Sequence, residues 1–192
     1  MEKFKKIDEL MEYDSRFDIF AGENIYHESL PKGLKLHHVY NKVKDINLLA
    51  NVHEDIQSQF NIAKNLFVYS WYCYPFSNVA ELKAISTLEF ALKMKLNNEI
   101  RSLRKLLNHA IENDYLIDSR LYEKEKQSKE NNLILGIEPP NIDYKERTKL
   151  TVEFICKHRN TLAHGSNTLT MPSSRIFEIT SDFINQLFKY KF

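Results

Sequence analysis

The stretch VAELKAISTLEFALKMKL, residues 79–96, is the strongest indicator of fold class in this sequence. Its apolar residues recur every three or four positions, which places them on one broad face of an α-helix. That face comprises Leu82, Ile85, Leu88, Ala91, Leu92 and Leu96. Asn78 has the side chain of an N-cap, and Glu81 follows it at the spacing of a capping box. We therefore expect a long helix that begins after Asn78 and packs through this face.

The segments on either side of this helix have the same periodicity. Upstream, residues 34–74 are predicted to form one or two helices, and Pro75 ends that segment. Downstream, residues 102–114 form another predicted helix with a single apolar side. That side consists of Leu103, Leu106, Leu107, Ala110 and Ile111.

Two further helices are predicted near the end of the sequence. Asp143 and Glu146 are placed to cap a helix that ends at Gly165, a residue favoured after helix C-termini. Beyond Pro172, apolar residues at helical spacing predict a last helix that begins at Ser173 or Ser174. The fold class is therefore all-α, a bundle of about five or six helices.

Length and composition predict a single domain that spans residues 1–192, because 43% of the residues are hydrophobic and only 4 are glycine. Residues 1–33 are predicted to be an N-terminal extension with a short amphipathic piece. Residues 118–142 are almost entirely polar at first and end near a double proline, so they predict one long polar loop. A solvated connection is the simplest interpretation of this loop, and a substrate-contacting or regulatory loop is the alternative.

The charge and cysteine content indicates the class of protein only broadly. Lys and Arg number 27 against 26 Asp and Glu, so any RNA-binding surface must be a local patch. Cys73 and Cys156 lie far apart among apolar neighbours, which suits free thiols in a reducing compartment. The charged start of the chain lacks the apolar segment of a signal peptide, and no stretch predicts a membrane span. These features favour a cytoplasmic protein without a membrane partner.

Arg159 occupies a position where its helix should bury an apolar residue. The apolar stripe of residues 152–163 reaches Arg159 after Val152, Ile155 and Cys156. A guanidinium does not lose its charge, so partial burial requires a carboxylate, carbonyl groups or an anionic ligand. Arg159 therefore either braces the bundle through an acidic partner such as Glu89, or points into a cleft that takes a phosphate.

His164 lies in the last turn of the same helix, just before Gly165. The negative end of the helix dipole favours a protonated imidazole there, and such a group can exchange a proton near neutral pH. Five residues correspond to about 500° of rotation, so the side chains of Arg159 and His164 diverge by roughly 140°. Asn160 and His164, four residues apart, share a face. Convergence of Arg159 with His164 requires either a distorted last turn or a second copy of the chain across a twofold axis.

The string RNTLAH, Arg159 to His164, resembles the Arg-x(4–6)-His signature of HEPN domains, in which a polar residue such as Asn160 often follows the arginine. The position of the string at the end of a late helix in an α-helical bundle also fits that family. The alanine- and leucine-rich residues 81–96 are similar to an earlier helix of many such domains. The motif itself covers only six residues.

The resemblance implies a metal-independent endoribonuclease that acts as a homodimer, with Arg159 and His164 as catalytic residues. Histidine would assist proton transfer, and arginine would neutralise charge on the phosphoryl oxygens. The expected products are a 2′,3′-cyclic phosphate and a 5′-hydroxyl, and no cofactor is implied. Asn160 would position substrate or histidine. Microbial HEPN proteins often serve as toxins or antiviral effectors, which implies a cognate antitoxin or regulatory protein as a further partner.

A small basic patch on the predicted helix of residues 102–114 is a candidate RNA-binding surface. It contains Arg104 and Lys105, with Arg101 beside them and Lys93 and Lys95 just upstream. A rim that guides RNA towards the cleft is one interpretation of this patch, and an ordinary solvated helix face is the other.

Other site types have weaker support. His37, His38 and His53 lack the spacing of a helix-based or Cys/His zinc site, so no metal ligand is predicted. Two non-enzymatic alternatives remain open. One is a HEPN-like module that binds a nucleotide or a protein through the same cleft, and the other is a structural helical domain in which an internal carboxylate satisfies Arg159.

Overall fold

The structure, a computed structural model, describes residues 4–19, 35–96, 102–119, 143–165 and 172–189. Within these residues the chain forms seven α-helices and no β-strand, which confirms the predicted all-α class. They are α1 (Arg16–Ile19), α2 (Leu36–Val43), α3 (Glu54–Tyr69), α4 (Phe76–Lys95), α5 (Leu103–Glu112), α6 (Tyr144–Ala163) and α7 (Arg175–Lys189). Only α1 and α2 are shorter than ten residues, and the short α1 raises the count above the predicted five or six.

Helix α4 is the central element of the bundle and packs against α3, α5, α6 and α7. Its buried apolar residues are Ala80, Ala84, Ile85, Leu88, Ala91 and Leu92. The small alanines among them allow close approach of the neighbouring helices. The predicted N-cap is wrong, because α4 begins at Phe76 with Pro75 as its N-cap. Proline suits a helix start because its φ angle is already helical and it has no N–H group to leave unsatisfied.

Helices α2 and α3 confirm that the upstream segment contains helices, and they show that it contains two. The connection between them is held by Lys64 of α3, whose Nζ donates hydrogen bonds to the carbonyl oxygens of Lys44 (3.1 Å) and Ile46 (2.8 Å). These bonds satisfy carbonyl groups at and beyond the end of α2 that do not accept hydrogen bonds within the helix. Burial lowers the pKa of Lys64, and the charge of Asp45 opposes that shift.

Helices α5 and α6 pack against each other and carry the residues of the candidate site. The predicted apolar side of α5 is confirmed, since all five of its residues are buried. The predicted ends of α6 are confirmed as well. Asp143 is the N-cap and accepts hydrogen bonds from the backbone N–H groups of Lys145 and Glu146, while Gly165 follows the helix with φ +75°. A positive φ is easily adopted by glycine, so the chain can turn away directly after His164.

The predicted N-terminal extension is anchored to the bundle in its described part, residues 4–19. Phe17 and Asp14 are buried, and Phe17 belongs to the main hydrophobic core. The Asp14 carboxylate accepts hydrogen bonds from the Arg16 side chain (2.6 and 2.8 Å) and from the Tyr74 backbone N–H (2.9 Å). Burial by itself would raise the pKa of Asp14, but the hydrogen bonds from Arg16 and Tyr74 and the charge of Arg16 hold that pKa below its usual range.

We expect the replacement Asp14→Asn to lower the free energy of unfolding by about 2 kcal/mol near neutral pH, because it removes charge-assisted hydrogen bonds. A carboxyl pKa that is depressed on folding contributes stability above its unfolded value of about 4 and loses it as the pH falls through the folded value. The difference between parent and variant should therefore be constant above about pH 5 and shrink below pH 4. Urea unfolding at several pH values measures this, with Asp8→Asn, at an exposed aspartate of the same N-terminal segment, as the control. A difference that grows with acidification would contradict the prediction.

The long polar loop lies mostly outside the described residues, which resume at residue 143. Its first residue, Asp118, is buried rather than solvated. The Asp118 backbone N–H donates to Thr148 Oγ1 (3.0 Å), and the Thr151 hydroxyl donates to the Asp118 carboxylate (2.7 Å). These two hydrogen bonds hold Asp118 against α6.

The last predicted helix, α7, begins at Arg175, just after the two serines that were expected to start it. The Ser173 hydroxyl accepts a hydrogen bond from the Arg175 backbone N–H (3.2 Å) at this end. In the described part of the chain, no helix is both long enough and apolar enough to cross a lipid bilayer.

Candidate functional site

The predicted site residues lie around the start of α5 and the C-terminal half of α6. Two neighbouring grooves mark this region. The first groove, of about 270 Å³, is lined by Glu89, Ser102, Leu103, Arg104, Cys156, Arg159 and Asn160. The second groove, of about 580 Å³, is lined by Arg104, Glu153, Lys157, Asn160, Thr161 and His164. Arg104 and Asn160 belong to both grooves, so the two form one continuous polar surface.

Arg159 is half-buried, one turn after the buried residues Ile155 and Cys156. The Arg159 guanidinium makes one long hydrogen bond, from Nη1 to Asn160 Oδ1 (3.4 Å). Among the residues that the structure describes, it has no carboxylate within 4.0 Å. Glu89, the acidic partner considered for bracing, instead forms a salt bridge with Lys93 (2.6 Å). Arg159 therefore faces the first groove, and the described residues use only a small part of its hydrogen-bonding capacity.

His164 is the C-cap of α6, and its backbone N–H donates to the carbonyl oxygen of Asn160 (3.0 Å). Its side chain is exposed and faces the second groove. The divergence expected from helix geometry is thus observed, because Arg159 and His164 line different grooves in one chain. Asn160, the residue common to both grooves, lies between them.

The two predicted RNA-contacting residues on α5 have different positions. Arg104 is exposed and lines both grooves, so the structure places it with Arg159 and Asn160. Lys105 is exposed but lines neither groove. Successive residues of an α-helix are about 100° apart around its axis, so Arg104 and its neighbour Lys105 face different directions. Lys157 and Thr161, which sequence reasoning did not single out, line the second groove together with His164.

The electrostatics of the first groove favour an anion. The start of α5, at Ser102 and Leu103, lines the groove, and the positive end of the helix dipole lies there. Arg104 and Arg159 add two full positive charges, while Glu89 supplies the opposing negative charge. An oxyanion such as a phosphate group matches this combination of donors and charges.

Cys156 lies in the wall of the first groove with only 5% of its surface exposed. Burial raises the pKa of its thiol, Arg104 and Arg159 partly oppose this rise, and Glu153 and Glu89 add to it. These charges therefore surround the thiol, which is consistent with their positions in the two grooves. A buried thiol of raised pKa contains little of the reactive thiolate near neutral pH.

We expect iodoacetamide to modify Cys73, which is half-buried, at least roughly tenfold faster than Cys156 in the folded protein, because alkylation requires an accessible thiolate. Peptide mass spectrometry of samples quenched over time measures the two rates. The denatured protein is the control, since both thiols should then react at similar rates. Equal rates in the folded protein would contradict the burial of Cys156.

A close contact between a buried carboxylate and an imidazole beside the site was missed by sequence reasoning. Glu81 of α4, with a side chain 5% exposed, contacts His158 Nε2 of α6 through its Oε2 at 2.5 Å. The ring of His158 stacks on the ring of Phe154, and the Arg175 guanidinium lies over the Phe154 ring at 4.6 Å from its centroid. This chain of contacts joins α4, α6 and α7 directly next to Arg159. The spacing of Glu81 from Ile85, Leu88 and Leu92 is a signal that could have identified it as a core-facing carboxylate.

Comparison with known proteins identifies no relative, because no family model, no curated protein and no solved structure matches this chain significantly. The interpretation of the site therefore depends on its own residues and geometry. His, Cys, Asp and Glu side chains do not come together in groups of three or more that could hold a metal ion in the described ranges of the chain.

Proposed function

We propose that this protein is a metal-independent endoribonuclease of the HEPN type that acts as a homodimer. The observation that carries the proposal is the half-buried Arg159, which faces an anion-favouring groove without a carboxylate partner among the described residues. The exposed His164 at the end of the same helix supplies the proton-transfer group. The resemblance of residues 159–164 to the HEPN motif supports the same function.

In the proposed reaction, the RNA phosphate that is to be cleaved binds in the first groove. The Arg159 guanidinium neutralises the charge that grows on its non-bridging oxygens, with help from Arg104. The 2′-oxygen of the ribose attacks the adjacent phosphorus and loses its proton, and the bond from phosphorus to the 5′-oxygen breaks as that oxygen gains a proton. His164 carries one of these protons. Asn160, which lines both grooves, positions the substrate between the two residues.

A second copy of the chain solves the geometric problem of the proposed site. Within one chain, Arg159 and His164 line different grooves, so neither groove holds both catalytic groups. A twofold axis close to the C-terminal end of α6 would bring His164 of one copy towards Arg159 of the other. The motif resemblance extends the proposal to a toxin or antiviral effector whose activity a cognate antitoxin or regulatory protein controls.

A non-catalytic module that binds a nucleotide or a protein through the same surface is the second candidate. The separation of Arg159 and His164 favours this candidate, because binding an anion requires the arginine and has little need of a titrating histidine. Tight binding of RNA or nucleotide without cleavage would support it.

The experiment that tests the enzyme is incubation of the purified protein with labelled RNA in excess EDTA, followed by chemical analysis of the new ends. Cleavage that leaves 2′,3′-cyclic phosphate and 5′-hydroxyl ends is expected for the parent, and about 10²- to 10³-fold less for Arg159→Ala. Lys149→Ala is the matched control, because Lys149 is exposed on α6 and lines neither groove. Cleavage that Arg159→Ala does not slow would overturn the assignment of the site.

A further inference from the structure

Among the described residues that line the first groove, Glu89 is the only acidic one, and its side chain is half-buried there with 19% exposed. The groove also contains the guanidinium groups of Arg104 and Arg159. A carboxylate in such a position would normally pair with an arginine, since a bidentate pair is the strongest contact available to both. Pairing of Glu89 with Arg159 would occupy the groups that an RNA phosphate needs.

In the structure, the partner of the Glu89 carboxylate is Lys93 rather than Arg159. Lys93 Nζ donates to Glu89 Oε1 at 2.6 Å, one helical turn further along α4. A glutamate four residues before a lysine is the favourable order for such a pair on a helix. Lys93 itself lines neither groove, so its contact with the site passes through Glu89.

We propose that Lys93 is a positioning residue that holds the Glu89 carboxylate away from Arg159 and thereby keeps the guanidinium available to an RNA phosphate. This inference rests on the proposed binding of RNA at Arg159. In the absence of Lys93, Glu89 becomes a competitor of the phosphate, and RNA binds less tightly. In the absence of Glu89 there is no competitor, and Lys93 loses its effect.

The test measures the affinity of a short 2′-O-methyl oligoribonucleotide, which lacks the free 2′-hydroxyl and is not cleaved. Lys93→Gln should weaken its binding by roughly three- to tenfold, because an uncompensated carboxylate now faces the groove. Glu89→Gln should bind as tightly as the parent or more tightly, since its amide carries no charge. The double variant Glu89→Gln/Lys93→Gln should match Glu89→Gln alone. Lys93→Arg, which keeps the pair with Glu89, should bind like the parent.

Two alternatives predict different results from the same variants. A lysine that contacts RNA directly would lose the same affinity whether residue 89 is Glu or Gln, which would overturn the inference. A general structural defect would weaken binding in all variants, including Glu89→Gln, and would overturn it too. Thermal unfolding of each variant identifies such a defect, and Lys149→Gln, at an exposed lysine that lines neither groove, controls for the loss of one positive charge.

Failure of the proposed function is distinguishable from failure of this inference. If Arg159→Gln binds the oligonucleotide as tightly as the parent, RNA does not bind at Arg159. That result would overturn both the proposed function and the positioning role of Lys93. If Arg159→Gln abolishes binding while the effect of Lys93→Gln persists in the Glu89→Gln background, the RNA site stands and only the role of Lys93 is overturned.

Discussion

Replacement of His164 by alanine is expected to slow RNA cleavage by about 10²- to 10⁴-fold, the usual contribution of a positioned general acid or base. The fold should not change, because the His164 side chain is exposed and the helix end is held by its backbone bond to Asn160 and by Gly165. RNA affinity should change little, since Arg159 and Arg104 supply the charge for binding. Initial rates of cleavage in EDTA and the affinity for the 2′-O-methyl oligonucleotide measure the two effects separately. Cleavage by a folded His164→Ala protein at the parental rate would contradict the proposed chemistry.

Mixing experiments test whether the site is shared between two copies. Arg159→Ala and His164→Ala proteins are each expected to be inactive. When they are mixed and allowed to exchange subunits, half of the dimers contain one of each, and one of the two sites in such a dimer has both intact residues. About a quarter of the parental activity should therefore return. If Arg159 and His164 act within one chain, no activity returns.

The largest effect on stability is expected from the replacement Glu81→Ala. This change removes one member of the buried pair with His158 and leaves the imidazole without its partner between α4 and α6. Hydrogen bonds to charged groups contribute about 1.5–3 kcal/mol, and the upper end applies here because the Glu81 side chain is only 5% exposed. Urea unfolding followed by circular dichroism gives the loss directly.

Two further variants isolate the contact between Glu81 and His158. Glu153→Ala is the control, since Glu153 is exposed on α6 and its loss should change stability by less than about 0.5 kcal/mol. The double variant Glu81→Ala/His158→Ala should be less destabilised than the sum of the two single changes, because the single changes each leave a group unpaired. Additive losses would mean that the two side chains do not stabilise each other.

The parts of the fold that depend on local chemistry were predictable. The apolar side of α5 follows from residue spacing alone, and the start of α6 at Asp143 and its end at Gly165 follow from capping preferences. The start of α4 was mispredicted because this segment offers two possible caps, Pro75 and Asn78. Local rules do not rank two acceptable caps three residues apart, whereas packing of the first turn does.

The candidate site was predictable only as a set of residues. The interrupted apolar stripe identified Arg159, and the helix end identified His164, from one segment of sequence. The partner of each side chain depends on which helix faces it. Glu81 of α4 pairs with His158 of α6, which depends on how these two helices pack. Glu89 pairs with Lys93 one turn along its own helix rather than with Arg159 of α6.

The helical class, the position of most helices and the unusual arginine at position 159 could be predicted from the sequence, because periodicity and capping are properties of neighbours along the chain. The burial of Asp14 and Glu81, the meeting of Arg104 with Arg159 at one groove and the placement of His164 at another became known from the folded structure. These features depend on contacts between residues far apart in sequence, and such contacts are set when all the apolar faces are buried together rather than by any one segment.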